Sequence, residues 1–356
     1  MRRGIASAPT PSSALNSRVT ERASERVAGL SELRDAAGAV GGARSWGLFA
    51  LKGCASAGLL AWVLFRADLV EVWSAVRSAT TGWLAFAVLL VILGPAIMTM
   101  RWHGLLGTQG VHLPRRALFG SLVVAGFFRQ FLPSTIGGDA VRAYDSWRAG
   151  ASKSVALTVL VVDRLTGLVA LLGFIVVALG FSDRMAARLP GAWGVVAIAA
   201  GGLGIAIWTM FAPASALVRL AEQAVASLPG PVRKIGEKAL WAATAYRNRR
   251  GALAPALGWS VVLQLNVVTF YFAIAQSLGL GIAYHEWFVI VPIAFFVMLL
   301  PISINGIGLR ESVFIFLLGA FAVTREQAVA FAWIEFGLFL LHGVAGGVWY
   351  AIRRST

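Results

Sequence analysis

Long apolar runs constrain this sequence more than any other feature. A membrane-spanning helix needs about 20 predominantly apolar residues, and about 18 in succession already predict one. Soluble domains carry about 25% charged residues, whereas this 356-residue chain carries 13% and is 58% hydrophobic. Six ranges contain apolar runs of this length, at about 46–65, 82–100, 154–181, 191–211, 252–278 and 328–352. The sequence therefore predicts an all-α polytopic membrane protein.

A second constraint is a stretch that occurs twice. Residues 127–142 align without gaps on residues 295–310, at a constant offset of 168 positions. The two copies share a Phe pair, a Leu-Pro pair, an Ile, a Gly and an Arg. In the order of the chain, the alignment pairs Pro133 with Pro301, Gly138 with Gly306, and Arg142 with Arg310. So many shared positions indicate an internal duplication.

Each copy contains an apolar segment that is short for a membrane crossing. The segments lie at about 117–132 and 287–300 and have 16 and 14 residues. A helix of 16 residues is about 24 Å long, while the hydrocarbon core of a bilayer is about 30 Å thick. Pro133 and Pro301 then end the segments as hinges, because proline interrupts helical hydrogen bonding. We therefore predict a re-entrant helical hairpin in each copy.

The duplication also suggests how the chain is organised. We predict a transmembrane domain over residues 46–356, with repeats at about 82–181 and 252–352. Residues 182–251 link the repeats and include a basic amphipathic segment, which is typical of a helix on a membrane surface. Residues 1–45 are polar and rich in arginine, and we expect a flexible cytoplasmic tail there. We predict a short polar loop at 66–81. The span at 82–100 is followed by Arg101-Trp102-His103, which we interpret as a basic and aromatic anchor at the membrane interface.

Basic residues divide unevenly between the two sides of this topology. With both hairpins re-entrant, 22 Lys and Arg residues fall on one side and five on the other. Cytoplasmic loops are enriched in Lys and Arg, so we expect a multi-pass protein of the bacterial inner membrane with both termini in the cytoplasm. The second repeat then enters the membrane in the opposite direction to the first. Inverted repeats with broken helices are a recurring design of secondary transporters.

Both repeated stretches have the features of an anion-binding site. A Gly-rich turn frees backbone N–H groups, and the next helix presents the positive end of its dipole. Arg142 or Arg310 follows each turn, and a guanidinium can hold two phosphate oxygens. Asp139 can orient Arg142, and Glu311 can pair with Arg310. The candidate substrate-binding residues near the turns are Ser134, Gly137, Gly138, Asp139, Arg142, Asn305, Gly306, Arg310 and Glu311. The alternative is that Pro and Gly only form turns and Arg caps a helix against lipid headgroups.

Four charged residues in apolar segments complete the candidate set, namely Arg129, Asp163, Arg164 and Glu335. A charge at the centre of a membrane span costs about 2.5–3.5 kcal/mol or more unless it is paired or hydrated. Asp163 and Arg164 are adjacent and point about 100° apart on a helix, so we expect each to pair elsewhere. Glu335, Arg129 and Arg142 are the partners considered. A buried structural ion pair and a role in proton or substrate handling are the two interpretations.

Several functional classes find no support in the sequence. There is no nucleotide-binding P-loop and no nucleophile elbow, so we expect no enzymatic activity. The four His residues are scattered and Cys54 is the single cysteine, so we predict neither a metal site nor a cofactor. The net charge of +15 is attributed to topology and anionic lipid, and we expect no nucleic-acid partner.

Three motifs, taken together, resemble a known family. In chain order they are Leu132-Pro133-Ser134-Thr135-Ile136-Gly137-Gly138-Asp139-Ala140-Val141-Arg142-Ala143-Tyr144, Asp163-Arg164, and Pro301 followed by Gly306-Ile307-Gly308-Leu309-Arg310-Glu311. This arrangement resembles the flippase-like transmembrane domain of lysylphosphatidylglycerol synthases over about residues 46–352.

The resemblance implies lipid handling rather than lipid synthesis. In two-domain members of the family a soluble aminoacyltransferase domain makes the lipid. The sequence ends at Thr356, so we expect a member without that domain. The resemblance places the functional positions at Pro133, Gly137, Gly138, Asp139, Arg142, Asp163, Arg164, Pro301, Gly306, Arg310 and Glu311.

The leading hypothesis is a lipid transporter of the flippase or scramblase type, which moves an anionic or modified phospholipid or glycolipid between leaflets. Asp163 and Glu335 are the candidates for proton coupling. The alternative is a non-transporting lipid-binding subunit of a glycosyltransferase or lipid-synthase system. A third class, an intramembrane enzyme acting on lipid-linked phosphate, lacks a recognisable nucleophile and base. The expected partners are a lipid with an anionic headgroup and a lipid-modifying enzyme or glycosyltransferase, and the sequence is compatible with a homo-oligomer.

Overall fold

A computed structural model describes residues 43–131, 137–181, 251–298 and 305–355, together with Ser303 and isolated positions between 201 and 237. The chain divides into two compact units, residues 1–55 and residues 56–356. Of the first unit, the description covers residues 43–55. The predicted span at 191–211, the linker segment and the tail up to residue 42 lie outside the described residues, apart from those isolated positions.

The regular elements of the described residues are all helices. In chain order they are α1 (Ala43–Arg66), α2 (Leu69–Arg77), α3 (Thr81–Thr108), α4 (Arg115–Phe131), α5 (Gly137–Arg148), α6 (Lys153–Phe181), α7 (Leu253–Ser277), a 3₁₀ turn (Tyr284–Glu286), α8 (Trp287–Met298), α9 (Leu309–Gly319) and α10 (Arg325–Ser355). Four helices are long and apolar enough to cross a membrane, over Thr81–Thr108, Lys153–Val177, Leu253–Ser277 and Arg325–Ile352. The prediction of an all-α polytopic membrane protein is confirmed.

Helices α3 and α7 pack against each other as an antiparallel pair over most of their length. The N–H of Thr80, just before α3, donates to the carbonyl of Ser277 at the end of α7 over 2.8 Å. Near the middle, Nδ2 of Asn266 donates to the carbonyl of Leu90 over 3.1 Å. Two apolar cores flank this pair at its two ends. One contains Tyr271 and the C-terminal half of α7, and the other contains Trp102 and the C-terminal half of α3.

The two short apolar segments each pair with a second short helix, in line with a hairpin. Helix α4 has 17 residues and packs on α5, and α8 has 12 residues and packs on α9. Their lengths, about 26 Å and 18 Å at 1.5 Å per residue, are less than the thickness of a hydrocarbon core. Gly138 allows the first pair to approach closely, because a Cβ on it would lie 2.9 Å from the carbonyl oxygen of Ala125.

A left-handed backbone conformation precedes α9. Asn305, Gly306 and Gly308 have φ angles of +51°, +76° and +77°, which Gly and Asn adopt most readily. Gly308 is also in close contact, since a Cβ there would lie 2.6 Å from Cβ of Leu59. The second Gly-rich turn is therefore determined by both backbone conformation and packing against α1.

Two sequence-based boundaries need correction. The predicted polar loop at 66–81 contains helix α2, because the carboxylate of Asp68 accepts the N–H groups of Val70 and Glu71 and caps it. The predicted span at 82–100 extends to Thr108. Arg101 therefore lies inside the protein rather than at the membrane interface.

Candidate functional site

The charged residue Asp163 lies in the bundle between two arginines from different helices. Nε of Arg101 on α3 is 2.6 Å from Oδ1 of Asp163, and Nη2 of Arg142 on α5 is 3.0 Å from Oδ2. All three residues are at most 5% exposed. Arg101 also donates through Nη1 to the hydroxyl of Ser260 on α7 over 2.8 Å. We call Arg101, Arg142 and Asp163, with the residues that contact them, the Asp163 cluster.

The Asp163 cluster continues towards a more open side of the bundle. Nη1 of Arg142 lies 3.8 Å from Oδ1 of Asp139, whose other oxygen accepts hydrogen bonds from Arg164. The side chain of Arg164 is 52% exposed. Arg129 on α4 is exposed too, and it lies close enough to interact electrostatically with Asp139, Arg142 and Arg164. Four arginines thus face two aspartates, and the two arginines on the open side are accessible.

The guanidinium of Arg142 is held in place by an aromatic ring as well as by carboxylates. Its Cζ lies 4.6 Å from the centroid of the Trp102 ring, a distance at which a cation–π interaction is favourable. Trp102 is fully buried. Nε of Arg142 has no hydrogen-bond partner within the described part of the chain.

A second buried group of polar residues lies in the aromatic core. The hydroxyl of Tyr271 on α7 donates to Oε1 of Glu335 on α10 over 2.7 Å. Nε of Arg310 on α9 is 3.4 Å from Oε2 of the same carboxylate. Phe331 and Phe314 pack beside Tyr271, with ring centroids 6.0 and 5.7 Å away. We call Tyr271, Arg310 and Glu335 the Glu335 cluster.

The polar groups of the Gly-rich turn next to the Glu335 cluster form hydrogen bonds with other groups of the protein. Oε2 of Glu311 accepts the N–H of Gly308 over 2.8 Å, as in a capping box. Glu311 therefore binds the turn, and the carboxylate near Arg310 is that of Glu335. Nδ2 of Asn305 donates to the carbonyl of Gln130 over 2.8 Å. This bond joins the second Gly-rich turn to the end of α4.

The two clusters use corresponding positions of the two aligned sequence stretches. In each, the Arg that follows the Gly-rich turn meets a carboxylate from the next long helix, α6 or α10. Each carboxylate also contacts a residue of the preceding long helix, Arg101 in one case and Tyr271 in the other. Each cluster includes one residue of α7, Ser260 in the first and Tyr271 in the second. These two residues are 11 positions apart. They therefore lie on the same face, about 20° apart, and about 16 Å apart along the helix axis.

The sequence-derived candidates divide between these clusters. Asp139, Arg142, Asp163 and Arg164 come together in the Asp163 cluster, with Arg129 close by. Asp163 and Arg164 each pair with other residues, as the angle between adjacent helical positions predicted. Of the three partners considered, Arg142 contacts Asp163, whereas Glu335 belongs to the second cluster.

The remaining candidates lie in or near the turns. Gly137 begins α5, Gly138 contacts α4, and Gly306 is part of the second turn. Pro133, Ser134 and Pro301 fall outside the described residues.

Sequence reasoning missed four residues of these clusters, which are Arg101, Trp102, Ser260 and Tyr271. The sequence places Arg101 and Trp102 directly after the apolar run at 82–100 and so predicts a membrane-interface anchor, whereas the structure continues the helix to Thr108. The alignment of the repeats offers one signal for Arg101 and Tyr271, since they precede Arg142 and Arg310 by 41 and 39 residues. Because Arg101 and Tyr271 are different residue types, residue identity alone does not show that they occupy corresponding positions.

Comparison with known proteins assigns the chain to a family. The family described as the lysylphosphatidylglycerol synthase TM region matches residues 48–346. A search among curated proteins found no match. The matched range contains α3 to α9, most of α10 and both charged clusters. The chain therefore belongs to the family of the lysylphosphatidylglycerol synthase TM region, and it is a multi-pass, lipid-related membrane protein.

Proposed function

We propose that this protein moves a lipid with an anionic headgroup between the two leaflets, as a flippase or scramblase. The observation that carries the proposal is the pair of buried arginine–carboxylate clusters at two depths of one bundle. Both clusters contact the same face of α7, about 16 Å apart along its axis. Two arginines at different depths can hold one phosphate in succession, and a headgroup that crosses a membrane needs such polar contacts along its path.

The excess of arginine in the Asp163 cluster supports an anionic substrate. Arg129 and Arg164 are exposed, and Arg142 lies behind them with an Nε–H group that has no partner among the described residues. A phosphate that enters from the open side would replace Asp139 as the partner of Arg164. Charge-assisted hydrogen bonds to phosphate are about twice as strong as neutral ones, and such an exchange leaves no guanidinium unpaired.

The contact between Arg310 and Glu335 supports a second binding position. At 3.4 Å it is longer than the usual 2.7–2.9 Å of a charge-assisted hydrogen bond. An uncompensated buried charge is strongly unfavourable, so Glu335 is the counter-ion of Arg310 when no substrate is bound. A phosphate would take over that role, and Glu335, which keeps its hydrogen bond from Tyr271, would take up a proton so that no uncompensated carboxylate stays buried. In this mechanism the protein acts through non-covalent binding alone.

The distribution of basic residues supports an orientation for this mechanism. We propose inverted repeats in a bacterial inner membrane, with both termini in the cytoplasm. The two hairpins then enter from opposite sides, and their tips meet at the Asn305–Gln130 hydrogen bond. A related architecture, with broken helices that meet near the midplane, serves alternating access in secondary transporters.

Reconstitution in liposomes tests the proposal. Vesicles would contain a fluorescent phosphatidylglycerol or polyprenyl-phosphate analogue, and an impermeant quencher would report how fast the inner-leaflet lipid becomes accessible. We expect the double variant Arg129→Gln with Arg164→Gln to slow transport about 10- to 100-fold, and the single variant Arg310→Gln to do the same. The reason is that a hydrogen bond to a charged group, worth about 1.5–3 kcal/mol, is lost. Arg148→Gln is the matched control, because Arg148 is exposed at the end of α5.

Two results would contradict the proposal, one its mechanism and the other transport itself. Equal rates in all variants would show that the clusters take no part. Tight lipid binding by a folded protein that moves no lipid would instead favour the alternative, a lipid-binding subunit of a glycosyltransferase or synthase system.

A further inference from the structure

A third group of arginines lies on the surface where α1, α2 and α10 meet. Cζ of Arg66 lies 5.4 Å from the centroid of the Trp62 ring, and Cζ of Arg325 lies 5.7 Å from it. Arg66 ends α1 and Arg325 begins α10, so two helices bring their guanidiniums to one indole. Trp62 is 45% exposed. We call Trp62, Arg66 and Arg325 the Trp62 site.

Tight packing beneath the Trp62 site holds the three helices together. Val63 of α1, Val72 of α2, and Val329 and Ala330 of α10 form a small core in which every member has 0% exposure. Because α1 and α10 are fixed to each other in this way, the convergence of Arg66 and Arg325 on Trp62 is part of the fold.

Among the described residues, no ion pair balances the two charges of this site. The two guanidiniums are no more than about 11 Å apart and repel each other. Neither Arg66 nor Arg325 forms an ion pair within the described part of the chain. Nη1 of Arg325 is buried and has no hydrogen-bond partner among the described residues.

The acidic residues nearby in sequence do not supply the missing counter-charge. The carboxylate of Asp68 accepts the N–H groups at the start of α2. Among the described residues, Glu71 and Glu326 form no ion pair with an arginine. The site therefore has no ion-paired carboxylate among the described residues, so its two arginines are suited to an anion from the surroundings.

The surroundings of the Trp62 site identify the source of that anion. Phe65 is 89% exposed and Val70 is 79% exposed, which is unfavourable in water but suits contact with acyl chains. On α2, Cζ of Arg77 lies 5.1 Å from the Trp73 ring, so the neighbouring surface repeats the combination of Arg and Trp. Trp is enriched at the level of lipid headgroups, and at that level the abundant anion is the lipid phosphate.

We propose that the Trp62 site binds the phosphate of a membrane phospholipid, with the acyl chains along Phe65 and Val70. The topology predicted from the basic residues places this end of the bundle outside the cytoplasm, so the bound lipid belongs to the outer leaflet. The site is separate from the two buried clusters. The proposal therefore does not rest on transport activity.

Lipid titration followed by native mass spectrometry tests this site. The full chain in mild detergent would be titrated with phosphatidylglycerol, and with diacylglycerol of the same acyl chains as the probe that lacks a phosphate. We expect the retention of one phosphatidylglycerol to depend on the Trp62 site, in addition to any lipid that the buried clusters hold. Arg66→Gln with Arg325→Gln should weaken its retention about 25-fold, since an arginine near an anionic lipid contributes about fivefold, or about 1 kcal/mol. The matched control is Arg115→Gln with Arg116→Gln, which removes the same charge from two exposed residues at the start of α4.

The remaining outcomes separate the explanations. We call Arg66→Gln with Arg325→Gln the Trp62-site pair, and Arg115→Gln with Arg116→Gln the control pair. Loss of phosphatidylglycerol from the Trp62-site pair but not from the control pair supports the site. Weak retention of diacylglycerol supports it as well. Equal loss in both pairs would show a bulk charge effect and overturn the proposal. Unchanged retention in the Trp62-site pair, or competition by free glycerol phosphate as effective as that by the lipid, would overturn the assignment to a membrane phospholipid.

Discussion

Replacing Asp163 with asparagine should destabilise the protein severely, because the substitution leaves two buried arginines without their shared counter-ion. Arg101 and Arg142 both contact the Asp163 carboxylate, at 2.6 and 3.0 Å, and all three residues are at most 5% exposed. Asparagine has nearly the same shape, so the loss is electrostatic rather than a loss of packing.

The magnitude follows from the burial of the pair. Removing one partner of a buried ion pair costs about 3–5 kcal/mol, since the charge that remains is uncompensated. A change of 1 kcal/mol shifts the Tm of a domain of 150–250 residues by about 2–4 °C, and the shift becomes smaller in longer chains. We therefore expect the Tm of the Asp163→Asn variant in detergent to fall by about 6–10 °C. Glu71→Gln, which removes one exposed carboxylate on α2, should change the Tm by no more than about 1 °C.

A double variant tests the electrostatic explanation. If repulsion between unpaired guanidiniums causes the loss, Arg101→Met should partly restore the stability of Asp163→Asn, because one of the two buried cations is then absent. We expect a coupling free energy of about 1–3 kcal/mol between these contacting residues. Additive effects of Arg101→Met and Asp163→Asn, or a Tm for Asp163→Asn equal to that of Glu71→Gln, would refute the reasoning.

Three further substitutions have defined expected results in the same thermal assay. Tyr271→Phe removes the hydroxyl that donates to buried Glu335 while the ring keeps its packing, and should cost about 1.5–3 kcal/mol; a change below about 0.5 kcal/mol would contradict that bond. Gly346→Ala on α10 would place a Cβ 2.3 Å from a backbone carbonyl oxygen of α4 and should cost about 1–3 kcal/mol by overpacking. Gly337→Ala, on the same helix with no atom within 4 Å, is its control and should be neutral or stabilising by up to about 1 kcal/mol. Asp68→Ala removes the cap of α2 and should cost about 1 kcal/mol, and equal stability would argue against α2 as a capped helix.

The positions of the short helices could be predicted because their signals are local. The segments expected at 117–132 and 287–300 appear as α4, over Arg115–Phe131, and α8, over Trp287–Met298. Proline and glycine limit helices through the backbone of the residue itself, so no knowledge of the tertiary structure was needed. Local signals also misled in one place, where a polar stretch after α1 was predicted as a loop although Asp68 caps a helix there.

The partners of the buried charges could not be predicted in the same way. Asp163 contacts Arg101, which lies 62 residues earlier in the chain, and Tyr271 contacts Glu335, which lies 64 residues later. Such contacts depend on which helices are neighbours and on how each helix is rotated about its axis. An amphipathic pattern indicates the rotation of a helix in water, but the long spans here are apolar on most sides.

The sequence by itself determined that the chain is helical and embedded in a membrane. It also determined the positions at which the helices break and the charged residues that have to find partners. These properties follow from hydrophobicity, proline, glycine and the cost of an isolated charge, which act through each residue alone. Only the tertiary structure decided how the arginines are used. It divided them between two buried clusters on one face of α7 and the exposed Trp62 site, because pairing energies depend on distances between atoms that are far apart in the chain. For the same reason Arg101 became a buried partner of Asp163 rather than a membrane-interface anchor.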